Sequence, residues 1–327
     1  MGCRMININN QEILLIAPKY YDYHIKIINE LESNGASITF YPEMVYPFFY
    51  RLMRNISRYC KKELEKKYLN DILKNIDDNA YDIFFLIRGE IVTTEFLEKL
   101  KLKLPHAKFV MYQWDSLKQN NYESKIKYFD CVQTFDMVDA KALNLTYLPL
   151  FYTDDYAFAL KNEKKYDLAF FGSWHGDRLE VIKYIDKEFT KHGLIFKFHL
   201  YISKLSVVKS LLLGKITLRD LFFLKINTVD AKEINKVYKE SRAVLDIELA
   251  IQNGLTIRTF EVLGSNTKLI TTNSHIKEEI FYNPSNIMVI DRKDIQIDFD
   301  FFKLPMEEND FFEYHIGRWL EKVLTIN

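Results

Sequence analysis

The feature that most constrains this chain is an alternation of short apolar runs, too brief for helices, with longer stretches of helical pattern. Glu12 to Pro18 (EILLIAP), Ser37 to Tyr41 (SITFY), Tyr81 to Ile87 (YDIFFLI), Ala107 to Gln113 (AKFVMYQ), Cys131 to Phe135 (CVQTF) and Leu145 to Leu150 (LTYLPL) read as strands. Between them lie helical segments: Tyr20 to Asn34, stopped by Gly35, a long lysine-rich region from Pro47 to about Asn79, and Thr93 to Leu102. Strands separated by about 10 to 30 residues of helical pattern need crossover connections. The expected product is a mostly parallel sheet with helices on both faces.

Around Tyr152 to Lys165 (YTDDYAFALKNEKK) the apolar runs stop and charge accumulates, which marks a linker. The pattern then restarts. Strands are expected at Tyr166 to Phe171, Ile195 to Tyr201, Ala243 to Ile247, Lys268 to Thr272 and Ile287 to Asp291. Helices are expected at Arg178 to His192, Asp230 to Ser241, Thr256 to Leu263 and near Ile276 to Ile280. The 327 residues suit two domains of roughly 150 residues each. The division expected is 1–151, a linker at 152–165, and 166–306. A final segment, 307–327, contains the helical stretch Glu308 to Leu324, which has no sheet position left and is free to pack back across the boundary. Two such sheets leave a cleft at the carboxyl ends of their strands, the usual ligand site in folds of this kind.

Composition narrows the class. Lys+Arg and Asp+Glu are equal at 45 each, so the formal net charge is +0, and a chain-wide basic surface for nucleic acid is excluded. Hydrophobic residues at 48% against 28% charged exclude an intrinsically disordered chain. Cys3, Cys60 and Cys131 are scattered, without a C-x-x-C pair, and read as reduced thiols of a cytosolic protein. The start, MGCRMININNQEILLIAP, lacks the pattern of a secretion signal, and Ile6 stands where myristoylation at Gly2 needs Ser or Thr. No window approaches the roughly 18 apolar residues of a membrane span. A soluble, cytoplasmic protein is expected.

Two stretches of the second half carry chemistry. In Phe170 to Arg178 (FFGSWHGDR), Gly172 and Gly176 let backbone approach a ligand, and Ser173 with the following amides can hydrogen-bond a phosphate near a helix start. The same residues also suit a plain glycine turn with Asp177 as a helix cap, and His175 and Trp174 either meet substrate or serve the turn. In Ala243 to Asn273 (AVLDIELAIQNGLTIRTFEVLGSNTKLITTN) a strand runs through a polar loop into a helix capped by Thr256. There Ile257, Phe260 and Gly264 share one face while Arg258 and Glu261 share another. That second face either meets a ligand, with arginine suiting a diphosphate and glutamate a ribose, or is a surface ion pair.

The order of FFGSWHGDR, a long helical region, a strand and NGLTIRTFEVLGSNTKLITTN resembles the donor domain of GT-B glycosyltransferases, particularly bacterial lipopolysaccharide and capsule enzymes and their CgeB-like relatives. The resemblance spans about Tyr166 to Asp291. It implies an α/β fold of two Rossmann-like domains facing across a cleft, the second binding a nucleotide-sugar and the first a glycan or lipid-linked acceptor. It further implies that Glu261 binds the ribose, that Arg258 and Thr256 face the diphosphate, and that Gly172 and Ser173 line the phosphate side. The donor is a substrate, so no separate cofactor is implied. The same scaffold also suits a polyol-phosphate transferase, or a catalytically silent protein that binds nucleotide or a partner. Many retaining members carry a Glu-x7-Glu motif ending at this glutamate. Asn253 stands where its first glutamate would be, which sets this chain apart from that pattern.

In the first half, Arg88-Gly89-Glu90 follows one strand and Trp114-Asp115 another, so both should line the cleft. Glu90 and Asp115 are candidates for the base that deprotonates an acceptor hydroxyl, or else helix caps; Asp136, after CVQTF, is a third candidate for the base, and Arg88 and Trp114 are candidate substrate contacts. Asp298-Phe299-Asp300 spells a D-x-D motif but lies in QIDFDFF, whose alternation predicts a strand or extended segment near the end of the fold. Asp154-Asp155 falls in the linker, and no histidine pair has metal spacing, so no tightly bound metal is expected. Ser203 to Ile226 interleaves Lys204, Lys209, Lys215, Arg219 and Lys225 with Leu, Val and Phe. It is either an inserted helical pair with its lysines outward or a peripheral contact with the inner membrane.

Overall fold

In the computed structural model, which describes residues 8–44, 58–157, 163–249, 251–307 and 310–325, the apolar runs of the first half are strands of one parallel sheet. Cys3, the Met1–Gly2–Ile6 positions and the start of the lysine-rich region lie outside the described residues. The elements in chain order are β1 (Glu12–Ala17), α1 (Tyr23–Ser33), β2 (Ser37–Pro42), α2 (Arg58–Asn75), β3 (Ile83–Ile87), α3 (Thr94–Lys103), β4 (Lys108–Gln113), β5 (Cys131–Thr134), α4 (Met137–Leu143) and β6 (Thr146–Tyr147). They pair in the order β2-β1-β3-β4-β5-β6, and Leu14 lies in register with both Thr39 and Phe84. Every residue of β3 is buried, because helices cover both faces; this is why IFFLI is a continuous apolar run with no polar alternation.

The second half repeats the plan with β7 (Tyr166–Ser173), α5 (Arg178–Lys191), β8 (Phe196–Tyr201), α6 (Lys204–Leu212), β9 (Leu224–Lys225), α7 (Ala231–Lys239), β10 (Ser241–Asp246), α8 (Ile257–Gly264), β11 (Lys268–Thr271) and β12 (Ile287–Val289). Its strands, all parallel, run β12-β11-β10-β7-β8-β9. The expected class, α/β with two Rossmann-like sheets, is what the chain forms. One unit ends at Pro149 and takes in the segment from Ile316; the other is Leu150–His315.

The last helix, α9 (Ile316–Leu324), therefore belongs to the first unit. Trp319 is buried there, edge-on to Tyr112 with ring centroids 4.8 Å apart. Gln133 Nε2 donates to the carbonyls of Lys322 at 3.1 Å and Val323 at 3.3 Å, which satisfies part of the helix's carboxyl end.

Three local expectations are corrected. Phe299–Phe302 is a turn of 3-10 helix and not an extended segment: Asp298 accepts the Asp300 amide at 2.9 Å, so its carboxylate caps a turn that alternation alone does not reveal. The 203–226 segment is not a helical pair. After α6 it makes a 3-10 turn at Leu218–Phe222 and then supplies β9, a two-residue strand too short to leave a periodic signal. Between Glu308 and Leu324 the described residues hold a 3-10 turn at Phe312–Tyr314 and then α9, with 308 and 309 outside the description.

Each sheet reverses its winding once, between β1 and β3 in the first unit and between β7 and β10 in the second. Loops at the carboxyl ends of such a pair diverge to opposite faces and leave a crevice. The chemistry-bearing residues gather at these two places.

Candidate functional site

In the second unit β7 ends on Gly172 and Ser173, and β10 on Asp246. Arg178, the first residue of α5, spans the crevice between them. Its Nε donates to the Ile247 carbonyl at 2.8 Å, Nη2 donates to the same oxygen, and Nη1 donates to the Ser173 carbonyl at 3.0 Å. Gly172 is needed for this packing: a Cβ there would sit 2.8 Å from the Phe170 ring and 3.2 Å from Arg178 Nη1. Ser173 is exposed beside it, and Trp174 packs partly on the core.

Asp246 is the hub of the next layer. Buried at the end of β10, it accepts Thr256 Oγ1 at 2.6 Å and Arg258 Nη1 at 2.8 Å, while Arg258 Nε donates to Tyr238 Oη at 3.1 Å. Thr256 does precede α8, but its hydroxyl is spent on Asp246 and caps no amide. The expected open face of α8 is likewise drawn inward, since Asp246 supplies the countercharge that lets Arg258 be buried. Glu261 is buried beside Tyr156 and Tyr238. Burial first, and then charges including Glu261, push the Tyr238 phenol up to about 12.

Arg292, just past β12, completes the group. Its Nη1 lies 3.0 Å from Asp177 Oδ1, and its Nη2 donates to the Glu248 carboxylate and, at 3.0 Å, to Thr272 Oγ1. Asp177 thus holds an arginine and makes no side-chain cap, contrary to the simplest reading of its position. His175 is half-buried among these guanidiniums. Burial, then Arg178 and Arg258, push its imidazole down to about 4, so the ring is neutral at physiological pH. Arg178 and Arg258 both lie over the Phe170 ring, at 6.0 and 5.6 Å from its centroid.

The first unit gathers a second cluster around Arg88. Its Nε is 2.6 Å from Asp115 Oδ2, its Nη1 3.5 Å from Glu43 Oε2, and its Nη2 is paired with Glu90. Neither Glu90 nor Asp115 caps the following helix; Thr93 caps α3, accepting the Phe96 amide at 3.2 Å. Asp136 is the one that caps, buried and accepting the amides of Val138 and Asp139. Trp114 is half-buried beside Asp115.

The turn presenting Arg88 is held in an uncommon shape. Arg88 and Gly89 are both left-handed, at φ 69° and 71°, a conformation costly for arginine. Side chains fasten three of its polar groups, while the Arg88 and Gly89 amides donate to the backbone carbonyls of Tyr112 and Ile87, each at 2.9 Å. Gln113 and Asn120 donate to the Arg88 carbonyl at 2.8 and 3.0 Å, Lys125 Nζ donates to the Gly89 carbonyl, and the Glu90 amide donates to Glu43 Oε1. Glu90 and Lys125 also border a groove of about 520 Å³ lined further by Lys66, Asn70 and Lys99.

Glu43 is fully buried, and burial, opposed by Arg88, pushes its carboxyl up to about 7 from an ordinary 4.5. Asp115 is shifted upward for the same two opposing reasons. Because the folded Glu43 holds its proton more tightly than the unfolded one, its contribution to stability is full below 4.5 and is lost as pH rises through 7. Glu43→Gln keeps the acceptor for the Glu90 amide and removes the titration. The stability of this variant should change less between about pH 4.5 and 7 than that of the wild type, as read by denaturant unfolding across pH; parallel curves would contradict the assignment.

Sequence reasoning singled out Gly172, Ser173, His175, Thr256, Arg258 and Glu261, which lie around the second crevice, and Arg88, Glu90, Trp114 and Asp115, which lie around the first, but it expected all of them to line one cleft. It missed Asp246, Glu248, Arg178 and Arg292 in one and Glu43, Lys125, Gln113 and Asn120 in the other. A signal existed for three of these: Asp246 ends the apolar run AVLD, Arg292 follows IMVID, and Glu43 follows SITFYP, all at carboxyl ends of strands. Among the described residues no three His, Cys, Asp or Glu side chains group to hold a metal ion, and no helix is long and apolar enough to cross a membrane.

No family model matches this sequence, and no curated protein matches it. Solved structures do match in shape. The catalytic domain of starch synthase IV from Arabidopsis thaliana, bound to ADP and acarbose, aligns with a TM-score of 0.56 at 8% identity over 98% of this chain and 96% of that one. HepE of Anabaena, in complex with UDP and glucose, gives 0.56 at 11% identity over 97% of each chain. The UDP-GlcNAc 2-epimerase of Methanocaldococcus jannaschii, with UDP-GlcNAc and UDP, gives 0.55 at 12% over 97% and 100%. These likenesses define the fold as GT-B, two Rossmann-like domains. Transferases and an epimerase share it, so the chemistry has to be argued from side chains.

Proposed function

We propose that this protein is a glycosyltransferase moving a sugar from a nucleotide-sugar to a lipopolysaccharide, capsule or other surface-glycan acceptor at the cytoplasmic face of the inner membrane. The observation that carries the reading is the convergence of Arg178, Arg258 and Arg292 on the glycine turn at the β7/β10 crevice. Guanidiniums held in fixed geometry suit a diphosphate, whose charge grows as it leaves. All three fold neighbours described above hold a nucleoside diphosphate, ADP in one and UDP in two, which agrees with this choice of ligand.

In this reading the turn at Gly172 and Ser173 receives the diphosphate, Arg258, held in place by Asp246 together with Thr256, faces its charge, Glu261 receives the ribose hydroxyls, and neutral His175 donates to the donor. An acceptor oxygen attacks the anomeric carbon, the bond from that carbon to the diphosphate oxygen breaks, and the acceptor proton passes to Glu90 or Asp115. Burial raises the affinity of Asp115 for a proton, which suits that role. Arg88 and Trp114 contact the acceptor. Leaving charge is met by arginine, and the reading calls on no cofactor besides the donor.

The test is a melting-temperature screen against nucleotides and nucleotide-sugars. A diphosphate that binds should raise Tm in a concentration-dependent way, and its monophosphate should do so much less. No shift with any nucleotide would overturn the proposal.

A further inference from the structure

Segment 203–226 carries more apolar surface than its folding uses. In α6, Val207 and Leu211 pack against the core of the second unit, and Ser210 is buried. That is the one apolar face a surface helix needs. The opposite stripe is apolar too: Leu205 is 85% exposed and Leu212 82%, with Val208 between them. The 3-10 turn repeats the arrangement, with Leu221 and Phe223 inward while Leu218 and Phe222 are 73% and 79% exposed. An outward apolar patch of this kind, on a frame anchored from behind, calls for a partner.

Charge says which partner. Lys204, Lys209, Lys215 and Arg219 are exposed around the patch, and among the described residues none of them forms an ion pair. The single acid of the segment, Asp220, is buried and engaged by Lys183 and by Thr217, whose amide and hydroxyl lie 2.7 and 3.0 Å away. A second copy of the chain would bring the same cations face to face. An anionic lipid surface accepts both features, its headgroups taking the cations and its acyl boundary the leucines and phenylalanine.

We infer that Leu205, Leu212, Leu218 and Phe222 form a wedge that inserts into an anionic membrane surface, with the lysines and arginine flanking it on the phosphates. The inference rests on the proposed function only in that a membrane-borne acceptor gives such docking a purpose. The wedge is part of the second unit and packs from behind on the same hydrophobic core as the β7/β10 crevice.

The test is co-sedimentation of the full chain, without nucleotide, with phosphatidylglycerol-containing vesicles and with pure phosphatidylcholine vesicles. Binding is expected to the first far above the second, and salt should weaken it without abolishing it, since the apolar part is not screened. The double variant Leu205→Glu/Leu212→Glu should melt like the wild type, both positions being exposed, and lose vesicle binding by at least roughly tenfold. A second variant, Lys209→Glu/Arg219→Glu, should lose the preference for anionic lipid. No sedimentation at low salt overturns the inference, as does a wild-type dimer in sedimentation velocity that the leucine variant dissociates. Vesicle binding without nucleotide binding would support docking and sink the transferase reading; nucleotide binding without vesicle binding would do the reverse.

Discussion

Asp246→Ala is expected to melt roughly 10 °C below the wild type, because removing one partner of a buried ion pair costs about 3 to 5 kcal/mol and each kcal/mol is worth about 2 to 4 °C in a domain of this size. The cause is specific. Asp246 accepts from both Thr256 and Arg258, and without it a largely buried guanidinium keeps only the Tyr238 hydroxyl from that set. Asp246→Asn retains an oxygen for the threonine and should fall between the two. Nucleotide affinity should drop with the melting temperature, since Arg258 and the start of α8 are placed by this carboxylate. A melting temperature of Asp246→Ala within about 2 °C of wild type would mean the hub is not load-carrying.

Arg88→Met should have a comparable effect in the first unit, with a pH signature of its own. Glu43, Glu90 and Asp115 would then share their site with Lys125 alone. The loss should be about 3 kcal/mol at pH 8 and smaller at pH 5. The sign follows from proton uptake: crowded carboxylates bind protons more tightly folded than unfolded, so in this range the folded state holds more protons and stability falls as pH rises. Chemical denaturation of both proteins at the two pH values reads the difference. A deficit independent of pH would place the effect in lost packing by the arginine stem and not in charge.

Most of the fold was legible because buried parallel strands write themselves as uninterrupted apolar runs. Among the described strands only β9 escaped, being two residues long and held by its neighbour β8. Turns were harder. QIDFDFF alternates like a strand, yet a single Asp298 side chain bonding forward to Asp300 bends it into a 3-10 turn.

The sites were legible where a loop's composition was odd, as at FFGSWHGDR and IRGE. They were not legible where a residue acts through a partner distant in sequence. Asp246 and Arg258 are separated by a polar loop, Glu43 meets the Glu90 amide from another strand, and Arg292 meets Asp177 from the far end of the sheet order. Periodicity reports which face a residue lies on, and these pairs depend on which strands become neighbours. The carboxylates show the same limit: Asp177, Glu90 and Asp115, which also suit caps, hold arginines, whereas Asp136, a third candidate for the base, is the one that caps a helix.

The central claim is that the β7/β10 crevice binds a nucleoside diphosphate, and titration calorimetry measures this directly. With ADP, UDP, GDP and CDP each titrated into the wild type, at least one should bind with one-to-one stoichiometry. That binding should be lost in Arg258→Lys and weakened strongly in Glu261→Gln, with both variants first shown to be folded. If none of the four binds, or if binding survives both substitutions unchanged, the crevice is not a donor site and the proposed function fails with it.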